Sequence, residues 1–203
     1  AAVNKDKYIT DGLIRKNLVL SSGLLTALCA VVCNKAVTAV IMSVSLLFIS
    51  VVSSVLTIVF FQKKNYYMQV AACGLISSVC YIPVYMLIEN ISSAYISDAG
   101  IYLPLIAVQS VLIYRTQRKY SEENSVFKSA ARIFVFAAGA GIFMILLAII
   151  REILAFGTLF GIAVTSHKIL ESAQQPWFAV IIMGICAAAA RYSVLRKSKD
   201  GEE

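Results

Sequence analysis

Charge is what this sequence has least of. Only 14% of its 203 residues are Asp, Glu, Lys or Arg, and they are bunched, leaving six nearly uncharged windows at 17–34, 36–62, 65–88, 99–114, 133–150 and 172–190. A soluble fold of this length could not cover so much apolar surface with so few charges. The apolar share is 60%, against roughly 45–50% in ordinary soluble domains, so lipid is the expected solvent. Histidine is nearly absent: His167 stands alone in a polar connection, which speaks against a histidine-built metal site. No catalytic triad, paired-carboxylate site or phosphate-binding loop can be assembled. "GTLFG" (157–161) has two glycines but lacks the spacing of a nucleotide-binding loop. The five cysteines, Cys29, Cys33, Cys73, Cys80 and Cys186, all fall inside apolar windows, which excludes an extracellular disulfide framework.

The net charge of +7 raises the question of nucleic acid, and the positions of the basic residues answer it. If each window crosses once, 15 of the 18 Lys and Arg fall on one side: the N-terminus, Lys63 and Lys64, the run from Arg115 to Arg132, and the C-terminus. The other side holds Lys35, Arg151 and Lys168. The positive-inside rule then places both termini in the cytoplasm, in an inner (cytoplasmic) membrane protein with six crossings. The basic excess reads as topology and attraction to anionic lipid, with no nucleic-acid partner. No small-x-small cleavage site precedes a polar start, and bulky Leu28 before Cys29 fits a lipoprotein site poorly, so the first window is expected to stay in place.

Along the chain, "NK" at 34–35 is the only break between residues 17 and 61. The first segment, 17–33, is short and interrupted by Gly23. The second, 36–61, is long enough to span, and a third runs from about Met68 to Ile88 with Pro83 expected to bend it near its end. "ENISSAYISDAG" (89–100) is polar and carries no Lys or Arg. The pattern then begins again with a short segment, 101–114, a long one, 128–154, and a last one, 176–195, with 155–175 as a connection. As one straight helix, 101–114 would reach only about 21 Å, against about 30 Å of hydrocarbon. The fold expected is an all-α integral membrane protein in one domain, with six segments in two inverted three-helix repeats, about 12–90 and 99–196. Short segments 1 and 4 are candidate discontinuous helices meeting near the bilayer midplane; the alternative is two ordinary short helices.

Within that plan, Cys29 and Cys33 lie four apart and share a helix face. They are either soft-metal or iron–sulfur ligands, a site that needs four donors, or simply small apolar residues. Arg151 and Glu152, after 18 uncharged residues, are either charges on an ion path or an anchor at the far interface, bonding helix ends or backbone carbonyls.

Three stretches carry a resemblance: "DGLIRKNLVLSSGLLTALC" (11–29), "GIYLPLIAVQSVLIYR" (100–115) and "IIREILAFGTLFG" (149–161). In order and separation they resemble the integral membrane subunits of the ion-translocating ferredoxin:NAD oxidoreductase (Rnf) and the related sodium-pumping NADH:quinone reductase (Nqr). The predicted orientation is that of RnfE and NqrD rather than of RnfA and NqrE. The resemblance implies two broken helices whose tips each present a cysteine. An antiparallel homologous partner would complete a shared [2Fe–2S] cluster between flavin-carrying subunits, with electron transport coupled to Na⁺ or H⁺ translocation. Carried over, the first ligand falls on Cys29, with Cys33 as fallback, and Cys29-Ala30 replaces the family's Cys-Pro. The second falls on Ser110, where Gln109-Ser110 stands in place of Asn-Cys, and a serine hydroxyl is a poor cluster ligand. Three readings stay open: a subunit of such a complex, its cluster either using Cys29 with Ser110 or another donor or lost; a stand-alone clusterless paralogue that binds or moves a small solute; and a purely structural or assembly role. No catalytic site of its own is expected in any of them.

Overall fold

The computed structural model describes residues 34–61, 64–91, 93–119, 126–163 and 170–199. Long helices form where the uncharged windows are widest. Helix α1 is Ala36–Phe61, α2 is Tyr66–Ile91, and the next long one, α5, is Val126–Phe156. At 1.5 Å per residue the first two reach about 39 Å and α5 about 46 Å, so each can cross the hydrocarbon core. Among the described residues these three are long and apolar enough to do so.

The expected bounds for α1 hold to the residue, and those for α2 and α5 to within three. Helix α2 runs through Pro83 to Ile91 unbroken, although that proline has no N–H to give to the preceding turn. Its outer face, with Leu75, Val79, Ile82 and Met86, is exposed, as a lipid-facing helix side requires.

The short segment is discontinuous, as expected. A seven-residue helix α3, Ser93–Ala99, runs into a 3-10 turn at Gly100–Tyr102, and helix α4 starts only at Leu105 and ends at Lys119. Gly100 takes a φ of +51° at the break, and Pro104 pre-sets the entry to α4. Its counterpart, 17–33, lies outside the described residues, as do Cys29, Cys33 and His167.

After α5 the connection is more structured than the sequence suggests. Thr158–Leu159 (β1) and Ile162–Ala163 (β2) pair antiparallel, Thr158 opposite Ala163. Both residues of the intervening turn, Phe160 and Gly161, have positive φ, 52° and 81°, the conformation that suits a two-residue hairpin. A 3-10 turn at Glu171–Gln174 then leads to α6, Pro176–Lys199, apolar over Pro176–Ala189. Proline suits the first helical position, where no N–H is needed.

The core lies around α1, which packs against α5, α2 and α4. In lipid the hydrophobic effect does not drive helices together, so close approach of small residues must. Ala36, Ala39, Ala137, Ala140 and Ala148 are fully buried. A Cβ placed on Gly141 would come within 3.1 Å of Ser43 Cβ, so α1 and α5 meet there as closely as a glycine allows.

Candidate functional site in the membrane helices

Three polar constellations sit inside this apolar bundle. The first is the start of α4. The chain turns into the helix through Leu103 N–H to Gly100 O (3.3 Å), Ile106 N–H to Leu103 O (3.2 Å) and Ala107 N–H to Pro104 O (3.1 Å). One turn further on, Ser110 is completely buried. Its hydroxyl donates to the Ala107 carbonyl at 2.7 Å. The same carbonyl takes the Ser77 hydroxyl of α2 at 3.1 Å, a proton shared with Gly74 O at 2.9 Å. Lower on the same pair, Tyr114 donates to Gln69 Oε1 at 3.1 Å.

Ser110 is thus a packing hydroxyl that helps seat α4 on α2. Its one proton is spent on its own helix, and no group of three or more His, Cys, Asp or Glu converges among the described residues. Among the described residues Ser110 stands where the resemblance puts a cluster ligand, and its hydroxyl is engaged with its own helix. Cys73, Cys80 and Cys186 are free thiols inside the helices.

The second constellation is the Arg151–Glu152 pair at the end of α5. Both are buried, Arg151 to 0% and Glu152 to 3% exposure. They do bond helix ends and carbonyls. Arg151 Nε reaches Ala173 O at 3.1 Å, and its Nη2 reaches Gln174 O at 3.0 Å and Gln175 O at 3.4 Å, a cation set against the carbonyl end of a helical turn. Glu152 Oε2 accepts the Ala36 N–H at 2.6 Å, at the positive end of α1. Its Oε1 accepts Gly161 N–H at 3.0 Å and the Thr158 hydroxyl at 3.2 Å. The pair fastens the hairpin, the 171–175 turn and the start of α1 to the end of α5.

The third was missed in the sequence reading. Ser43, Ser50, Ser53, Ser54 and Thr57 of α1 are all buried. At 100° per residue they lie within about 60° of Ser50 on one helix face and extend for about 21 Å. The signal was present in their spacing; serine and threonine in a membrane helix are commonly read as packing residues.

Residues 6–192 match the Rnf-Nqr subunit membrane protein family. The chain belongs to that family. A comparison with curated proteins gives no match. The Rnf-Nqr assignment covers all three stretches that carried the resemblance and makes the chain a membrane subunit of the kind found in multisubunit, ion-translocating complexes. It also sets Ser110 in relief, because the broken segment that bears it is present while the thiol expected there is not.

Proposed function

We propose that this Rnf-Nqr subunit works in an Rnf-like ferredoxin:NAD oxidoreductase, where electron transport is coupled to translocation of Na⁺ or H⁺. In this reading it lies in the cytoplasmic membrane with both termini inside, as two inverted three-helix repeats. Its neighbours are an antiparallel homologous subunit and flavin-carrying subunits. The observation that carries the reading is the break at 100–104 leading into a buried α4. Irregular backbone survives at membrane depth only where protein or a cavity surrounds it, and short broken segments mark the working centre of inverted-repeat membrane proteins.

A [2Fe–2S] cluster shared with the partner is part of the family expectation, and Cys29 is this chain's candidate ligand. A serine hydroxyl at the second position is a poor cluster ligand, and this one is bonded to Ala107 O, so no electron-transfer step is assigned to α4. What the chain's own residues do in this reading is hold the broken helix in place, through Ser110 and Ser77 on the Ala107 carbonyl, and line the interior with oxygen.

That same serine favours a second reading, a stand-alone clusterless paralogue that binds or moves a small solute. Gentle purification from the native membrane separates the two. Co-purifying flavin-bearing chains support the complex, and assays of iron and acid-labile sulfide then show whether Cys29 works with a donor from elsewhere. Recovery of the chain alone, active in solute uptake by liposomes, would overturn the first reading in favour of the second.

A further inference from the structure

The column of hydroxyls on α1 stands apart from the two constellations above, and its chemistry is specific. Four of its members donate to carbonyls of their own helix. Ser43 donates to Ala39 O at 2.6 Å, Ser50 to Leu46 O at 2.6 Å, Ser53 to Ser50 O at 3.4 Å and Thr57 to Ser53 O at 2.7 Å. Ser43 shares its proton with Gly141 O of α5 at 3.2 Å, whereas Ser50, Ser53 and Thr57 turn lone pairs toward the neighbouring helices. Ser54 breaks the pattern: its Oγ is completely buried and has no hydrogen-bond partner, an arrangement costly enough to call for a ligand.

Ser54 lies between the levels of Ser50 and Thr57, and residues four and three apart on a helix stand one above another. The antiparallel register fixed by Ala36 with Glu152 and Ser43 with Gly141 brings the buried Ser129 of α5 to about the same height. From α2, the Cys73 thiol comes within hydrogen-bonding reach of Thr57 and Ser53.

Among the described buried residues the only formal charges are Arg151 and Glu152, about 27 Å away along α1 by helical rise. Neutral oxygens without a carboxylate suit a monovalent cation better than a divalent one, whose sites are built from carboxylates. A proton relay would need each hydroxyl to receive and release a proton in turn, whereas these are engaged with fixed carbonyls. We propose that the α1 hydroxyl column, centred on Ser54 with Ser50 and Thr57 on either side, is a transit site for a desolvated alkali cation of the Na⁺ type. The site deepens, and rests on, the reading of the chain as a subunit of an ion-translocating complex.

The test is thermal unfolding of the full chain, with whatever subunits accompany it, in nanodiscs of phosphatidylcholine and phosphatidylglycerol. NaCl and KCl are compared with choline chloride at equal ionic strength. An alkali cation bound only by the folded state raises Tm by mass action, and a rise of about 3 °C or more over choline is expected for Na⁺. Ser54→Ala and Thr57→Val should each abolish most of that rise. In choline Ser54→Ala should raise Tm, because it removes a buried unpartnered hydroxyl, and Thr57→Val should lower it slightly, because it keeps the shape but loses the bond to Ser53 O. Equal Tm in all three salts, or a Na⁺ effect that survives both substitutions, overturns the site. Co-purification is scored on the same material. Partners without a cation effect would sink the site and leave the subunit reading standing; a cation effect without partners would do the reverse.

Discussion

The Glu152 carboxylate accepts the backbone N–H of Ala36 at 2.6 Å, joining positions 116 apart in the chain. Its second oxygen holds Gly161 N–H and the Thr158 hydroxyl, so a single side chain closes the start of α1, the end of α5 and the hairpin. Glu152→Gln keeps the shape but turns an NH₂ group toward donors on one side or the other. We expect a loss of about 1–3 kcal/mol, the usual worth of hydrogen bonds to a charged group. This reads as a Tm lowered by several degrees, with faster amide exchange at Ala36 and Gly161. An unchanged Tm would show that the carboxylate is not the fastening.

Arg151 is expected to resist its conservative replacement. Its Nε and Nη2 reach three carbonyls, those of Ala173, Gln174 and Gln175, from one planar group. Lysine offers a single nitrogen on a flexible stem. Arg151→Lys should therefore release the 171–175 turn, seen as protease sensitivity ahead of Pro176 and a Tm drop comparable to that of Glu152→Gln. Retention of wild-type protection would count against the clamp.

How far these features could be read in advance depended on their range along the chain. The bounds of α1 were legible because Lys35 and Lys63 flank an uncharged run, and charge is costly in lipid. The break before α4 was legible in Gly100 and Pro104. The hairpin was not, since strands of two residues are too short to show alternation, and "GTLFG" passed for a loop. Glu152 showed its chemistry but not its partner, because Ala36 meets it only through tertiary packing. The Ser110 position was identified by resemblance, and its bond to Ala107 by geometry alone.

The α1–α5 approach gives a prediction with a built-in rescue. A methyl group on Gly141 would lie 3.1 Å from Ser43 Cβ and 3.8 Å from its Cα, with only backbone behind. Gly141→Ala should cost about 1–3 kcal/mol through overpacking, and Ser43→Gly in the same chain should recover part of it. Tm values for the two single variants and the double form a mutant cycle. Additive losses with no recovery would mean that the helices do not touch through this pair.

The hairpin turn separates steric from conformational effects. Nothing lies within 4 Å of a Cβ built on Gly161, yet its φ is +81°. Gly161→Ala should thus lose about 1 kcal/mol through backbone strain alone. Phe160, at φ 52° with its ring half exposed, already bears such strain, and Phe160→Gly should relieve it. Opposite signs of ΔTm for the two variants are expected. A loss at Phe160→Gly as large as that at Gly161→Ala would mean that the ring holds a contact worth more than the strain.

Ser110→Cys tests whether a missing thiol is all that separates α4 from a cluster-bearing helix. Ser110 Oγ points back to Ala107 O within its own turn, and the residue is sealed between packed helices. A larger sulfur there forms a weaker bond to the carbonyl and must displace neighbours, at a cost of about 1 kcal/mol. Because no other metal-ligating group converges among the described residues, iron and acid-labile sulfide per chain should stay at the wild-type level in the purified variant. A stoichiometric gain in both, removed again by Cys29→Ala, would show that the α4 tip has kept a ligand site in all but the thiol, and would return the electron path to this subunit.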